Sequence, residues 1–308
     1  MVSVDDLFPG FSTATVAADG IEIFTRSGGS GPPVLCLHGY PQTHTMWHRI
    51  APELARDFTV VVADLRGYGQ SSAPADTADH DTYTKRAMAA DMVAVMRAHG
   101  HARFAVVGHD RGARVAYRMA LDHPKTVTRV VSVDVIPTLD VWETINQARM
   151  MRLYHWAFLA QPAPLPETWI GHNPAGWVAQ RVSRGAPTLP EWFDPRVLAH
   201  DQACFSEPAR LAASCADYRA GATRDVDHDR ADRDSGHRIA APLAVYWGTR
   251  GNLVDGPDPI ATWTRWCEQP VTGSSIPAGH FVPQENPDAL IAALRRFLSA
   301  ETDPISGD

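Results

Sequence analysis

The chain has 308 residues, 44% of them hydrophobic and 20% charged, which is the composition of a folded globular protein. A formal net charge of -7 with no basic patch argues against a nucleic-acid partner. No run approaches the roughly 18 consecutive apolar residues of a membrane span, so no membrane partner is expected. The length suits one large α/β domain with an inserted lobe. The first residues, Met1-Val2-Ser3-Val4-Asp5-Asp6, lack both a basic flank and an apolar stretch, and no signal peptide is expected. Cys36, Cys204, Cys215 and Cys267 show no C-x-x-C spacing, which favours buried free thiols in a reducing cytoplasm over disulfides or a zinc site.

Thr13 to Ala18 and Ile21 to Thr25, split by Asp19-Gly20, read as a β-hairpin. Ser27-Gly28-Gly29-Ser30-Gly31 lacks the Lys-Ser/Thr ending of a phosphate loop and runs into Pro32-Pro33, so a surface loop is expected. Val34 to Leu37 is a short buried strand ending at His38-Gly39-Tyr40-Pro41, followed by helical spacing from Met46 to Leu54. Phe58 to Ala63 is the next strand, and Tyr83, Ala87, Met88, Met92, Val93 and Met96 mark an amphipathic helix over 83–98. Phe104 to Val107 forms a strand, Ala113 to Leu121 an amphipathic helix, and Val127 to Val133 another strand.

This alternation implies a mostly parallel sheet with helices on both faces. Residues 138–238 are rich in Trp, Pro, Arg and Asp and hold no convincing strand. The sheet resumes at Leu243 to Trp247, then come a helix near Ile260 to Cys267, a strand near Pro270 to Ser274, and a closing helix from Pro287 to Leu298. The layout is that of an α/β-hydrolase fold: a core domain of 1–137 and 239–308 with a helical cap domain of 138–238 inserted over the strand ends.

In such sheets functional groups gather at the carboxyl ends of the strands. Tyr40, Asp110 and Asp134 each sit just past one. Gly108-His109-Asp110-Arg111-Gly112 has the strand-turn-helix context of a nucleophile elbow, with Asp110 in the place of the usual serine. A strand-to-helix turn capped by Asp would look similar. What separates the two is the chain order: Asp110, then Asp134, then His280 ahead of the last helix, matching nucleophile, acid and base. Many hydrolases of this fold carry the acid after the strand that here is Leu243 to Trp247. This chain has Gly248-Thr249-Arg250-Gly251-Asn252 there, so Asp134 is the favoured acid, with Asp255 and Asp258 as weaker alternatives.

An Asp nucleophile attacking saturated carbon gives an enzyme ester that water can cleave, which suits organic halides or epoxides. His280 would activate that water, and backbone N–H groups at Tyr40 and Arg111 would stabilise the oxyanion. Arg111 and Arg114 lie three apart at the helix start and suit a small carboxylate substrate, unless they pair with structural acids. His155, Trp156 and Tyr218 in the inserted lobe carry N–H or O–H donors for a departing halide, although spacing alone does not bring them together. Asp225-Val226-Asp227-His228-Asp229 mimics the start of a calcium loop, but Arg230 and Gly236 occupy the positions of its turn glycine and final glutamate; a solvated charged surface is expected instead.

Several stretches together resemble the fluoroacetate dehalogenases, haloacetate-processing members of the α/β-hydrolase superfamily. They are His38 to Trp47, the elbow with both arginines, Tyr154-His155-Trp156, Phe158 to Glu167, and Asp217-Tyr218-Arg219-Ala220-Gly221. The resemblance implies a triad of Asp110, Asp134 and His280, a carboxylate clamp of Arg111 and Arg114, and a halide site of His155, Trp156 and Tyr218. It also implies no metal, no organic cofactor, a haloacid and water as the small-molecule partners, and in many members a homodimer. Two departures stand out. Tyr40 replaces an expected Phe, and Arg184-Gly185 falls where a cap tryptophan is expected, with Trp177 and Trp192 as candidates to replace it. The alternative function is an epoxide hydrolase with the same Asp nucleophile, which two arginines beside the nucleophile disfavour. A non-catalytic binding member of the fold is disfavoured by the intact triad.

Overall fold

Valine-rich runs set the sheet in the computed structural model, which describes residues 3–300. Its strands are β1 (Ser12–Ala18), β2 (Ile21–Gly28), β3 (Pro33–Leu37), β4 (Thr59–Ala63), β5 (Phe104–His109), β6 (Val127–Val133), β7 (Leu243–Gly248) and β8 (Thr272–Ile276). They form one eight-stranded sheet in the order β1-β2-β4-β3-β5-β6-β7-β8. β2 pairs antiparallel with β1 and with β4, and every other pairing is parallel. The central strands are buried on both faces, which is why they read as apolar runs rather than alternations. Parallel pairing aligns the carboxyl ends of β3, β5 and β6, so Tyr40, Asp110 and Asp134 emerge at one edge of the sheet.

Several elements depart from the sequence expectations. The helix expected from Met46 to Leu54 is a 3-10 turn, His44–Trp47, and a separate helical turn, Ala51–Leu54. Pro52 lacks the N–H needed to continue a helix through it, so it sits in the first turn of a new one. The second helix starts at Lys85, capped by Thr84, whose hydroxyl accepts from the Ala87 N–H. The helix near Ile260 is Pro259–Thr264, and β8 begins two residues later than expected.

The elbow helix, Arg111–Asp122, has a polar face, but Arg111 through Leu121 are all buried. Between β6 and β7 the regular elements are all helical, from Thr138–Glu143 to Arg224–Ser235, and they cover that face. Helix Arg224–Ser235 overturns the expectation of a solvated surface. Asp225, Asp229 and Asp232 are buried, while Asp227 and Arg230 face solvent. Arg118 of the elbow helix holds Asp229 at 2.8 Å and pairs with Asp232, while Asp225 pairs with Lys85 at 3.2 Å. The three acids share one face at helical spacing. A charge pattern read along the chain shows nothing of the cations packed against it.

The four cysteines are buried and form no disulfide among the described residues, where no helix is long and apolar enough to cross a membrane.

Candidate active site

Asp110 occupies the turn between β5 and the elbow helix with φ 50° and ψ -115°. This is a left-handed conformation that a non-glycine residue adopts only where its surroundings impose it. Close packing imposes it here. A side chain on Gly108 would collide with the backbone of Gly112 and Ala113, and one on Gly112 with the Leu37 and His38 carbonyls. The Asp110 side chain is thereby pushed out past the strand ends, 6% exposed, with Oδ1 accepting from the Tyr40 N–H at 2.9 Å. The N–H of Arg111, at the start of the helix, has no intrahelical partner. Burial pushes the Asp110 carboxyl up, but His280, His109 and both arginines outweigh it and hold it down at about 2.

His280 arrives on the loop after β8. Its Nδ1 lies 2.6 Å from Asp134 Oδ2, and its Nε2 lies 3.7 Å from Asp110 Oδ2. The longer gap exceeds a direct hydrogen bond but lets one water bridge both groups. Asp134 is itself anchored: its carboxylate accepts from the Gly248 N–H at 3.1 Å and the Asn252 N–H at 2.9 Å. The loop after β7 thus supplies amides where other members of the fold supply the acid. The alternative acids lie elsewhere, Asp255 paired with Arg152 and Asp258 capping helix Pro259–Thr264. His109, which sequence reasoning gave no role, donates from Nε2 to the His280 carbonyl at 2.8 Å. Burial holds His109 down at about 3, so it stays neutral with that proton in place.

The two arginines differ sharply. Arg111 is held by Asp217 of helix Pro208–Ala222, through Nε to Oδ2 at 2.8 Å and Nη2 to Oδ1 at 2.5 Å. Its Nη1 is buried without a partner. Arg114 has no carboxylate partner among the described residues. Its Nη1 donates to Thr138 Oγ1 at 3.0 Å and the Ile136 carbonyl at 3.2 Å, leaving Nε buried without a partner. Tyr117 extends this arrangement, donating to Asp229 at 2.8 Å and contacting Thr138 at 3.0 Å. Each guanidinium is therefore fixed by the inserted helices and keeps a buried N–H free. Asp217 was legible only as the neighbour of Tyr218; its role depends on cations brought from 132 and 106 residues away, Lys85 and Arg111.

The structure also gathers His155, Trp156 and Tyr218. The Tyr218 ring lies 5.7 Å from His155 and 6.1 Å from Trp156, with the Arg111 guanidinium 4.3 Å above it. Arg114 stacks on Trp156 at 4.5 Å. Tyr218 Oη and His155 Nδ1 are buried without partners. Burial pushes the Tyr218 hydroxyl well above its ordinary value, and burial and then Arg181 push His155 well below its own. Arg181 Nη2 lies 3.4 Å from His155 Nε2 and can only donate, which leaves Nδ1 as the ring's N–H. The hydroxyl of Tyr40 is occupied, accepting from Trp177 Nε1 at 2.5 Å, whereas Trp192 packs on Phe281 at 6.2 Å. A cavity of about 190 Å³ opens above Asp110 and His280, bordered by Tyr40, His155, Arg181 and Arg184.

Comparison with known proteins places this arrangement in context. The family model for the alpha/beta hydrolase fold matches residues 32–287. The chain is 40% identical over 293 residues to a fluoroacetate dehalogenase from Burkholderia sp, covering 95% of each. It is 28% identical over 295 residues to a soluble epoxide hydrolase from Corynebacterium sp. (strain C12), covering 91% of this chain and 95% of that one. Among solved structures, ALR0039 from Nostoc sp PCC 7120 superposes with a TM-score of 0.90 at 45% identity, over 94% of this chain and 99% of that one.

Proposed function

This chain belongs to the alpha/beta hydrolase fold family and, within it, to the fluoroacetate dehalogenases, and from that premise we propose that it hydrolyses 2-haloacetates to glycolate and halide. The observation that carries the reading is a set of buried donors with no partner beside a carboxylate nucleophile. Arg111 Nη1 and Arg114 Nε offer one N–H to each oxygen of a substrate carboxylate, and Tyr218 Oη and His155 Nδ1 face a leaving halide, with Trp156 in the same cluster. Leaving such groups unpaired inside a protein costs about 1–3 kcal/mol each, which argues for a ligand that pairs them. A neutral oxirane would leave both guanidiniums unsatisfied.

In this reading one oxygen of ionised Asp110 attacks the halogen-bearing carbon. The C–O bond forms as the carbon–halogen bond breaks, and the electron pair leaves with the halide onto the Tyr218 and His155 donors. His280, oriented by Asp134, then takes a proton from water, whose oxygen adds to the Asp110 carboxyl carbon. The Tyr40 and Arg111 N–H groups receive the oxyanion. Collapse breaks the ester, releases glycolate and restores Asp110, with one proton leaving overall. Residues 138–238 act as the cap, closing the site with its halide donors and with the acid that fixes Arg111. Buried thiols outside any disulfide among the described residues fit a reducing cytoplasm. Exposed Leu165 and Trp169, four apart on one helix, fit a homodimer.

Halide release from fluoroacetate and chloroacetate tests the reading, paired with mass spectrometry of His280→Asn. That variant is expected to accumulate a carboxymethyl ester on Asp110. Turnover of styrene oxide with no halide release from either acid would overturn it in favour of epoxide hydrolysis.

A further inference from the structure

The cavity exceeds what a haloacetate needs. It measures about 190 Å³. A haloacetate's five heavy atoms take the room of about three waters, roughly 90 Å³ at the volume of liquid water. Helix Pro174–Val182 and the turn after it supply Gln180, Arg181 and Arg184 to the cavity wall, alongside Asp110 and His280. A third guanidinium at the mouth, Arg152, is already neutralised by Asp255.

Arg181 and Arg184 have no carboxylate partner among the described residues. Arg181 reaches His155 at 3.4 Å and Tyr154 at 5.4 Å, and its Nε is buried with nothing to donate to. Arg184 stands at the exposed rim, with its Nη1 3.4 Å from Asn252 Oδ1. Basic residues at a helix carboxyl end commonly answer the helix dipole. Arg181 lies in the last turn but reaches an imidazole, and Arg184, at φ 53°, sits in the left-handed turn that closes the helix through the Gly185 N–H to the Gln180 carbonyl at 3.1 Å. Two guanidiniums that face a cavity without a contacting carboxylate among the described residues are conspicuous on a chain of net charge -7.

We propose that Arg181 and Arg184 form a second anion subsite, so that the chain also takes 2-halodicarboxylates of the 2-halosuccinate class. The inference rests on the dehalogenase reading above. The carboxylate next to the halogen-bearing carbon occupies Arg111 and Arg114, and the distal one meets Arg181 and Arg184. The Tyr218 and His155 rings, 5.7 Å apart, stand between the two pairs, with the Arg111 guanidinium 4.3 Å from the first and Arg181 Nη2 3.4 Å from the second. Asp110 displaces halide from the substituted carbon, and water then cleaves the ester at the Asp110 carboxyl carbon. The products are a 2-hydroxydicarboxylate, halide and a proton. Configuration inverts, because only the displacement touches the stereocentre.

The test compares kcat/KM for 2-chlorosuccinate, 2-chlorobutanoate and chloroacetate in the native protein, Arg181→Gln and Arg184→Gln. The native protein should prefer 2-chlorosuccinate over 2-chlorobutanoate at least tenfold. Each variant should lower the chlorosuccinate-to-chloroacetate ratio about tenfold while leaving the chlorobutanoate-to-chloroacetate ratio within a factor of three. Malate should compete for the native site more tightly than glycolate, and lose that advantage in the variants. Because ratios are read within one preparation, partial unfolding of a variant cancels. Chloroacetate turnover with no preference for the diacid, or with ratios unmoved by either substitution, overturns the subsite and leaves haloacetate hydrolysis standing. No halide release from any of the three overturns both.

Discussion

Asp217→Asn is the most informative single substitution, because one buried carboxylate links helix Pro208–Ala222 to Arg111, the arginine proposed to face the substrate. Asp217 is fully buried and meets Arg111 through both oxygens, the Lys85 ammonium, and the Tyr68 hydroxyl at 2.7 Å. Burial alone would push its carboxyl up, but Arg111 and Lys85 hold it well below the usual carboxylate range. The amide keeps the shape and the Tyr68 bond but removes the charge. Lys85 then retains only Asp225, and Arg111 is left without a counter-charge. Breaking one side of a buried pair costs about 3–5 kcal/mol, and the surviving contacts put this case near 3. At about 2 °C per kcal/mol for a chain of this size, Tm should fall by about 6 °C. KM for chloroacetate should rise about tenfold, the equivalent of about 1.4 kcal/mol, because Arg111 loses its fixed orientation. The pH dependence has a definite sign. A carboxyl held down in the folded state binds fewer protons there than in the unfolded chain. Its contribution is therefore complete above about pH 4 and fades in more acid solution, so the gap between native and variant protein should close as pH falls. Thermal melts from pH 3 to 7 and steady-state halide release measure both effects. Adding Lys85→Met should recover part of the loss, with a coupling of about 1 kcal/mol or more. Equal Tm and KM in the native protein and Asp217→Asn, or a gap that widens in acid, would refute the reasoning.

Tyr218→Phe removes a hydroxyl that is buried without a partner, so stability should change by less than about 1 kcal/mol while kcat falls about tenfold or more. The loss should be larger for fluoroacetate than for chloroacetate, since fluoride accepts hydrogen bonds more strongly; equal kcat values for native protein and variant would exclude Tyr218 as a halide donor. Asp201→Asn should stabilise the protein. Burial pushes the Asp201 carboxyl up to about 8, its Oδ1 accepts from Thr43 at 2.8 Å and Thr45 at 3.2 Å, and its Oδ2 has no partner. The folded state therefore keeps a proton that the unfolded chain gives up near pH 4, and native stability declines as pH rises from about 4 toward 8. An amide does not titrate, so urea melts should show the variant's advantage growing over that range to about 1–3 kcal/mol. An advantage that shrinks with rising pH would contradict the assignment.

Local signals carried most of the fold. Apolar runs bounded by turn residues located β3 to β7, and the absence of such runs after Pro137 marked the helical insertion. They failed where a single residue interrupts a period, as Pro52 does, and lay two residues off at β8, where Thr272, Gly273, Ser274 and Ser275 supply little apolar signal. Covalent order was enough to single out Asp110, Asp134 and His280, which the fold brings together, because a nucleophile elbow is a local motif and its proposed partners follow it in the chain.

What order along the chain does not encode is which charge meets which. Arg111 and Arg114 read alike in the sequence, yet Asp217 takes one edge of the first and, among the described residues, no carboxylate pairs with the second. Asp225, Asp229 and Asp232 read as solvated charge and are buried against Lys85 and Arg118. Partners such as these lie on elements about 110 to 140 residues apart, so only the packing of inserted helices on the elbow helix pairs them. The sequence by itself thus determined the sheet and the strand-turn-helix that carries Asp110, the proposed nucleophile. The tertiary structure decided which N–H of each arginine stays free, because that depends on desolvation and on acids delivered from the far side of the chain.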